Sequence, residues 1–298
     1  MTLEDWGWDE RWALQAAEEG VERSSVGRVV GQDRSSWSTQ TDSGLRTARL
    51  PSTSGVHPSP VVGDWVLVEP GPMPSDPWSI RAVLPRRSRI SRGASGTGGG
   101  EQVLASNVDK VWIVHGLDMP FKPRRLERYM TLAWNGGVAP EVILTKADLA
   151  EDLEATLAEV QAIAMGTPVH SVSSEDPERV YALRDTLTPG STVSLLGPSG
   201  VGKSTLVNLL AEADVAATGE VREKDRKGRH TTTRRELFQI PGGALLLDTP
   251  GMRELRLGVS EEGLRQTFAD IEDIGKECRF RDCGHEAEPG CAVLEAVD

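Results

Sequence analysis

Basic residues are in short supply. The chain has 33 Lys and Arg against 45 Asp and Glu, a formal net charge of −12 over 298 residues. That balance excludes a protein that coats nucleic acid over its whole surface, although local basic stripes must still be read segment by segment. No run of 18 apolar residues occurs, so no membrane span is expected. The opening Met-Thr-Leu-Glu-Asp-Trp has neither a basic region nor an apolar run, so no secretory leader is expected. Only three cysteines are present, all between 278 and 291, which argues against a disulfide scaffold and for a reducing cytoplasm.

What is present is organised around Gly197, Pro198, Ser199, Gly200, Val201, Gly202, Lys203 and Ser204. This is G-x-x-x-x-G-K-[ST], the phosphate-binding loop. Its glycines let backbone N–H groups converge on a phosphate without a Cβ in the way. Lys203 brings a cation to the outer phosphates, and Ser204 offers a hydroxyl to Mg²⁺. The apolar Val193, Leu195 and Leu196 precede the loop as a strand, and Thr205 to Leu210 opens a helix whose N-terminus faces the anion.

The chain before the loop divides by pattern. Residues 1–20 are acidic and Trp-rich and read as an extension or helix packed on the next domain. Residues 21–95 carry short β runs at Val26 to Val30, Leu45 to Leu50, Val61 to Val68 and Trp78 to Leu84, the spacing of a small OB-type barrel, a class that often binds RNA. The Gly-rich stretch 91–106 reads as a flexible joint or mobile loop. From 106 to 259, strands at Asn107 to His115 and Val142 to Leu144 alternate with helices, one of which carries Arg124, Arg125 and Arg128. That alternation predicts a mostly parallel sheet with ligands at its strand ends.

Three further segments bear on nucleotide. Thr145, Lys146, Ala147 and Asp148 resemble the [NT]-K-x-D guanine-recognition motif. A carboxylate at Asp148 accepts from the guanine N1–H and exocyclic amine, donors that adenine does not present together, and Lys146 lays its stem over the base. Ser173 and Ser174, after the strand-like Thr167 to His170, are candidates to supply backbone N–H groups to the base carbonyl. Asp248-Thr249-Pro250-Gly251 resembles D-x-x-G, with Asp248 holding Mg²⁺ through water and the Gly251 N–H sensing the γ-phosphate. Here the base motif precedes the phosphate loop, the reverse of the usual order. A closed α/β domain with neighbouring termini can be permuted in this way without losing its core. Between loop and D-x-x-G lies Arg222 to Arg235, with seven basic and two acidic residues, including Gly228-Arg-His-Thr-Thr-Thr233. Met252 stands where many GTPases carry a water-orienting glutamine, which a thioether cannot replace. His230 is the nearest candidate catalytic group, a phosphate or RNA contact being its other reading.

Cys278, Cys283, His285 and Cys291 give C-x4-C-x-H-x5-C, a ligand set for one closed tetrahedral, structural Zn²⁺ in a small domain spanning 260–298.

The order T-K-x-D, G-P-S-G-V-G-K-S, G-R-H-T-T-T, D-T-P-G and C-x4-C-x-H-x5-C resembles the ribosome small subunit-dependent GTPase A family over residues 22–298. Val62-Gly-Asp-Trp-Val66 and Ser106-Asn-Val-Asp109 look like family segments too. The resemblance implies a multidomain protein with an N-terminal OB barrel, a circularly permuted GTPase domain and a C-terminal zinc domain. It implies GTP hydrolysis stimulated by the 30S subunit, late 30S maturation, rRNA contact and His230 as the catalytic residue. A cytoplasmic monomer using GTP, GDP and Mg²⁺, with no membrane partner, is the expectation. Family members usually continue past the zinc site into a longer helical tail; this chain ends at Asp298. The rival readings are an ATP-dependent P-loop kinase or transferase, a zinc-stabilised RNA-binding protein, and a permuted GTPase of the large subunit or another RNA.

Overall fold

The computed structural model describes residues 2–51, 56–93, 101–164, 166–215, 235–248, 274, 278–279, 283 and 289–297. By contacts the chain forms two compact units: 1–91 with 103–255, and 92–102 with 256–298. Residues 216–234, 249–273 and 284–288 lie outside the described residues. The expectations placed on His230, Gly251, Met252 and His285 therefore fall there.

The first unit begins with a 3-10 turn, Glu4–Trp6, and helix α1, Glu10–Glu18. Asp9 caps α1 by accepting from the Trp12 N–H at 2.8 Å. Trp8 and Trp12 then bury against Trp65, Val26 and Leu84. The acidic, Trp-rich start thus packs on the barrel that follows it, because the indoles of Trp8, just before α1, and of Trp12, on its buried face with Ala16, must be covered.

That barrel comprises β1 (Val26–Gln32), β2 (Trp37–Thr41), β3 (Gly44–Arg49), β4 (Trp65–Glu69) and β5 (Trp78–Val83). The strands close in the order β1-β2-β3-β5-β4-β1, as expected of an OB-type barrel. Strand β2, Trp-Ser-Thr-Gln-Thr, has no aliphatic alternation to announce it; its pairing to β1 and β3 makes it a strand. The stretch 91–106, expected as a flexible joint, is corrected at both ends. Strands β6 (Arg89–Gly93) and β7 (Glu101–Ser106) pair as a separate two-stranded sheet. Backbone pairing there overrides the Gly-rich composition.

Next come β8 (Lys110–Gly116), α2 (Pro123–Asn135), β9 (Ala139–Thr145), α3 (Leu153–Ala164), β10 (Val169–Ser171), α4 (Pro177–Arg184), β11 (Thr192–Leu196) and α5 (Lys203–Ala211). Strands β12 (Arg235–Gln239) and β13 (Leu245–Asp248) follow the undescribed 216–234. The sheet order is β10-β9-β8-β11-β13-β12, parallel except that β12 runs antiparallel to β13. Its inner strands β8, β9, β11 and β13 are largely buried and apolar, as parallel strands covered on both faces require. Trp112, Ile143, Val193, Leu206 and Leu246 share one core.

The two sheets are one. Residues 26–28 of β1 pair with β4, whereas Gly31 and Gln32, past a register shift after Val29, pair with Glu236 and Arg235 of β12. The shift re-aims one strand edge from the barrel to the nucleotide sheet. The family-like segments form the joint between them. Asp64, fully buried, accepts from Arg86 Nε (2.7 Å) and Nη2 (2.8 Å) and from the Val61 N–H. Asn107 Nδ2 donates to Gly63 O at 3.0 Å. Gly63 has φ +96°, and a Cβ there would meet Ser106 O at 2.1 Å. Arg28 of β1 donates to Trp6 O, Asn107 O (3.1 Å) and Thr192 Oγ1 (2.8 Å), tying the N-terminal turn to the sheet, and burial pulls its pKa down to about 10.

In the second unit Cys278, Cys283 and Cys291 are described together with a short helix α6 (Ala292–Val297).

Candidate functional site

The phosphate loop runs from β11 into α5, the strand–loop–helix context its sequence demands. Gly197 passes so close to β8 that a Cβ would meet Val114 O at 2.4 Å, and Gly202 starts α5 with φ +89°. A side chain would clash at the first and be strained at the second. Lys203 is buried, and its Nζ donates to Gly197 O (2.7 Å) and Pro198 O. Its ammonium is therefore held inside the loop by carbonyls, where an anion between the loop N–H groups also lies within its reach. Ser204 is half-buried in the first turn of α5, while Ser199, Gly200 and Thr205 are exposed at the rim.

The Thr145–Asp148 turn docks directly on this loop. Thr145 ends β9 and is buried. Its hydroxyl lies 2.5 Å from Val201 O and 3.2 Å from His115 O. One O–H has one proton, and the shorter distance assigns it to Val201. Lys146 adopts a left-handed backbone, φ 57°, which turns the chain sharply after the strand. Its Nζ donates to Gly200 O at 2.9 Å and to Asp118 Oδ2. The Ala147 N–H donates to Val172 O at 3.2 Å, fastening the turn to the chain after β10.

Asp148 is exposed, because it follows the end of β9, past the core. Ser173 Oγ donates to Asp148 Oδ1, and that Oγ in turn accepts from the Glu175 N–H at 3.1 Å. Sequence reasoning had offered Ser173 for its backbone; in the structure its hydroxyl orients the carboxylate. Ser174 beside it is exposed. Thr145, Lys146, Ser173, Ser174, Gly202 and Thr205 line one cleft between the Thr145–Asp148 turn and the loop 197–204.

Asp118 is a site residue that sequence reasoning missed. Gly116, whose Cβ would meet Asp118 Oδ1 at 2.6 Å, lets the chain fold back over Lys146. The signal was His115-Gly-Leu-Asp118 at the end of a buried strand neighbouring the phosphate loop. The His115 ring is buried edge-on to Phe121, and burial lowers its pKa.

Asp248 ends β13, which pairs in parallel with β11 through Ser194↔Leu247. Parallel register brings the carboxyl ends of the two strands to the same edge, so Asp248 and the phosphate loop leave the sheet side by side.

In the second unit the three sulfurs of Cys278, Cys283 and Cys291 lie within 4.8 Å of one another, with Cys278 and Cys291 Sγ at 3.9 Å. Thiolates about 2.3 Å from one tetrahedral metal stand roughly 3.8 Å apart, so the spacing suits a single ion such as Zn²⁺. Burial opposes ionisation of Cys278, but the Val293 and Ala292 N–H groups at the start of α6, and the neighbouring thiols, hold its pKa below the ordinary thiol value. That is the electrostatic setting a thiolate ligand needs.

Comparison with known proteins agrees with this geometry. The family model described as RsgA GTPase matches residues 83–258. The chain is 41% identical, over all of its own length and 82% of the relative's, to "Small ribosomal subunit biogenesis GTPase RsgA 2" of Vibrio vulnificus. Among solved structures it resembles YjeQ from Thermotoga maritima, with TM-score 0.60, 26% identity, and coverage of 92% of this chain and 91% of that one. It also shares the fold of YloQ, described as a circularly permuted GTPase, with TM-score 0.54, 24% identity, and coverage of 91% and 87%.

Proposed function

The chain belongs to the RsgA GTPase family and is a GTP hydrolase, and from that premise we propose that it binds the small ribosomal subunit and acts in its late maturation, with hydrolysis stimulated by that subunit. The observation that carries the nucleotide half of this reading is the docking of Thr145 and Lys146 on Val201 and Gly200, which joins base recognition to phosphate binding in one rigid piece. The partner half rests on the relatives' names and on the OB-type barrel, whose β1 shares a sheet with β12.

Each site residue then has a role. Asp148, oriented by Ser173, accepts from the guanine N1–H and amine. Lys146 flanks the base with its stem, and Ala147 and Ser174 complete the base pocket. Residues 197–205 cradle the phosphates, with Lys203 turning from its loop carbonyls to the outer phosphate oxygens. Ser204 and Asp248 are the protein groups that would hold Mg²⁺, which supplies charge neutralisation for the β- and γ-phosphates. Gly251 senses the γ-phosphate, and His230 positions or polarises the attacking water. Water attacks the γ-phosphorus, the bond to the β-γ bridging oxygen breaks, and GDP and phosphate leave. Cys278, Cys283, His285 and Cys291 would hold one structural Zn²⁺. The protein works as a cytoplasmic monomer; among the described residues no helix is long and apolar enough to cross a membrane.

The test is multiple-turnover GTP hydrolysis with separated 30S and 50S subunits, paired with co-sedimentation in a non-hydrolysable GTP analogue and in GDP. Stimulation and pelleting specific to 30S and favoured by the triphosphate are expected. Equal response to 50S, or none to either, overturns the partner assignment.

A further inference from the structure

Helix α2 presents a face that nothing described above uses. Leu126, Tyr129, Met130 and Ala133 bury one side of it. Arg124, Glu127, Arg128, Thr131, Trp134 and Asn135 form the opposite, exposed stripe at helical spacing. Lys122 is exposed just before the helix, and Arg125 is half-buried on its flank. Among the described residues none of these four cations forms an ion pair, although the chain has 12 more acidic than basic residues. In an acidic chain with carboxylates to spare, cations left unpaired on one face mark a surface kept for an anionic partner.

The aromatic residue narrows the partner. Of eight tryptophans, six are buried and Trp78 is half-buried beneath Arg46, whereas Trp134 is 48% exposed. It stands about 9 Å along the helix axis from Arg128, which is itself about 6 Å from Arg124. The Arg89 N–H donates to Gly136 O at 2.9 Å, so the exposed Arg89 adjoins the Trp134 end of the stripe. Arginines in line with an exposed indole are the two halves of single-strand recognition: guanidinium to backbone phosphate, and aromatic face to an unpaired base. A duplex keeps its bases stacked and gives the indole nothing to cover.

We propose that the exposed face of α2 is a docking surface for single-stranded RNA, with Arg124 and Arg128 on successive phosphates and Trp134 stacked on an unpaired base. The biological source of that strand, rRNA of the small subunit, rests on the function proposed above; the surface itself does not. The surface also has a place in the fold that matters: α2 begins near the phosphate loop, since Lys122, Phe121 and Arg125 line a small cleft with Pro198. The Arg124 end of the stripe therefore lies toward the phosphate loop.

The experiment uses the full chain, with R124Q/R128Q, W134A and W134F beside it, and circular dichroism and subunit-free GTP turnover confirming that each is folded. Binding of a labelled single-stranded 12-nucleotide oligouridylate, and of an RNA duplex of equal length, is followed over a salt series. The double variant should bind the single strand about tenfold or more weakly at low salt and flatten the slope of log K against log salt by about 1.4, two phosphates at roughly 0.7 each. W134A should weaken binding about 5- to 100-fold with the slope unchanged, and W134F should recover part of the loss. Wild-type affinity and slope in both R124Q/R128Q and W134A overturn the proposal. So does equal loss on duplex and single strand. If the variants lose 30S pelleting but keep oligouridylate binding, the surface meets a ribosomal protein and the RNA assignment fails. If the wild type ignores 30S subunits altogether, the proposed function fails while the oligonucleotide result still decides this one.

Discussion

Thr145→Val isolates the joint between the base-recognition turn and the phosphate loop. Valine keeps the shape of threonine and its β-branching, so β9 and its packing are preserved, and only the hydroxyl is lost. The structure puts that hydroxyl 2.5 Å from Val201 O, in a residue only 5% exposed. The cost has two parts. The bond itself contributes about 0.5–1.5 kcal/mol, and the Val201 carbonyl left without its partner raises the loss to about 1–3 kcal/mol. Bound nucleotide presses the two segments together, so this loss should reach affinity: about 5- to 150-fold weaker binding, at 1.4 kcal/mol per tenfold. The contact touches neither the γ-phosphate nor its sensor, so GTP and GDP should weaken by the same factor. Fluorescent guanine nucleotide titrations measure both, with thermal melts recording stability separately. Unchanged affinity for both nucleotides, with the melt lowered, would show that the turn and the loop act independently and would refute the argument. Loss confined to GTP would place Thr145 in γ-phosphate sensing instead.

Four other outcomes follow from the same geometry. Asp148→Asn exchanges an acceptor for an amide that mismatches guanine, so GTP affinity should fall by a few kcal/mol and xanthosine nucleotide binding should appear, read by competition titration. Lys203→Ala should abolish turnover with a native circular dichroism spectrum, because the Nζ held by the Gly197 and Pro198 carbonyls serves the ligand; surviving turnover would put the active site elsewhere. Elemental analysis should find about one zinc per chain, lost in Cys283→Ser while nucleotide binding persists in the other compact unit. His115 has its pKa lowered by burial from 6.5, so the unfolded chain binds its proton first as the pH drops. The stability it guards is intact above about 6.5 and is lost as pH falls below that value toward the folded pKa. Chemical denaturation from pH 7.5 to 5.5 should show this slope, and His115→Asn should flatten it.

The sequence alone determined what is local in the chain. The phosphate loop is eight consecutive residues between a strand and a helix, and the glycine positions it needs are written in that order. The Thr145–Asp148 turn, Asp248 at a strand end and the three clustered cysteines are equally short-range, and the spacing of short β runs followed by strand–helix alternation is enough to predict a small β barrel ahead of a parallel α/β sheet. Tertiary structure decided everything that joins residues far apart in number. Thr145 meets Val201 across 56 positions and Arg28 meets Thr192 across 164. Asp118 is drawn to Lys146 only because β8 and β9 are neighbours in parallel register. Strand β2 is a strand because β1 and β3 flank it, and β7 because β6 does. The barrel and the nucleotide sheet become continuous because a register shift in β1 hands its edge to β12. Hydrogen-bond register and close packing between distant segments set these contacts, and neither leaves a periodic trace in the residues themselves.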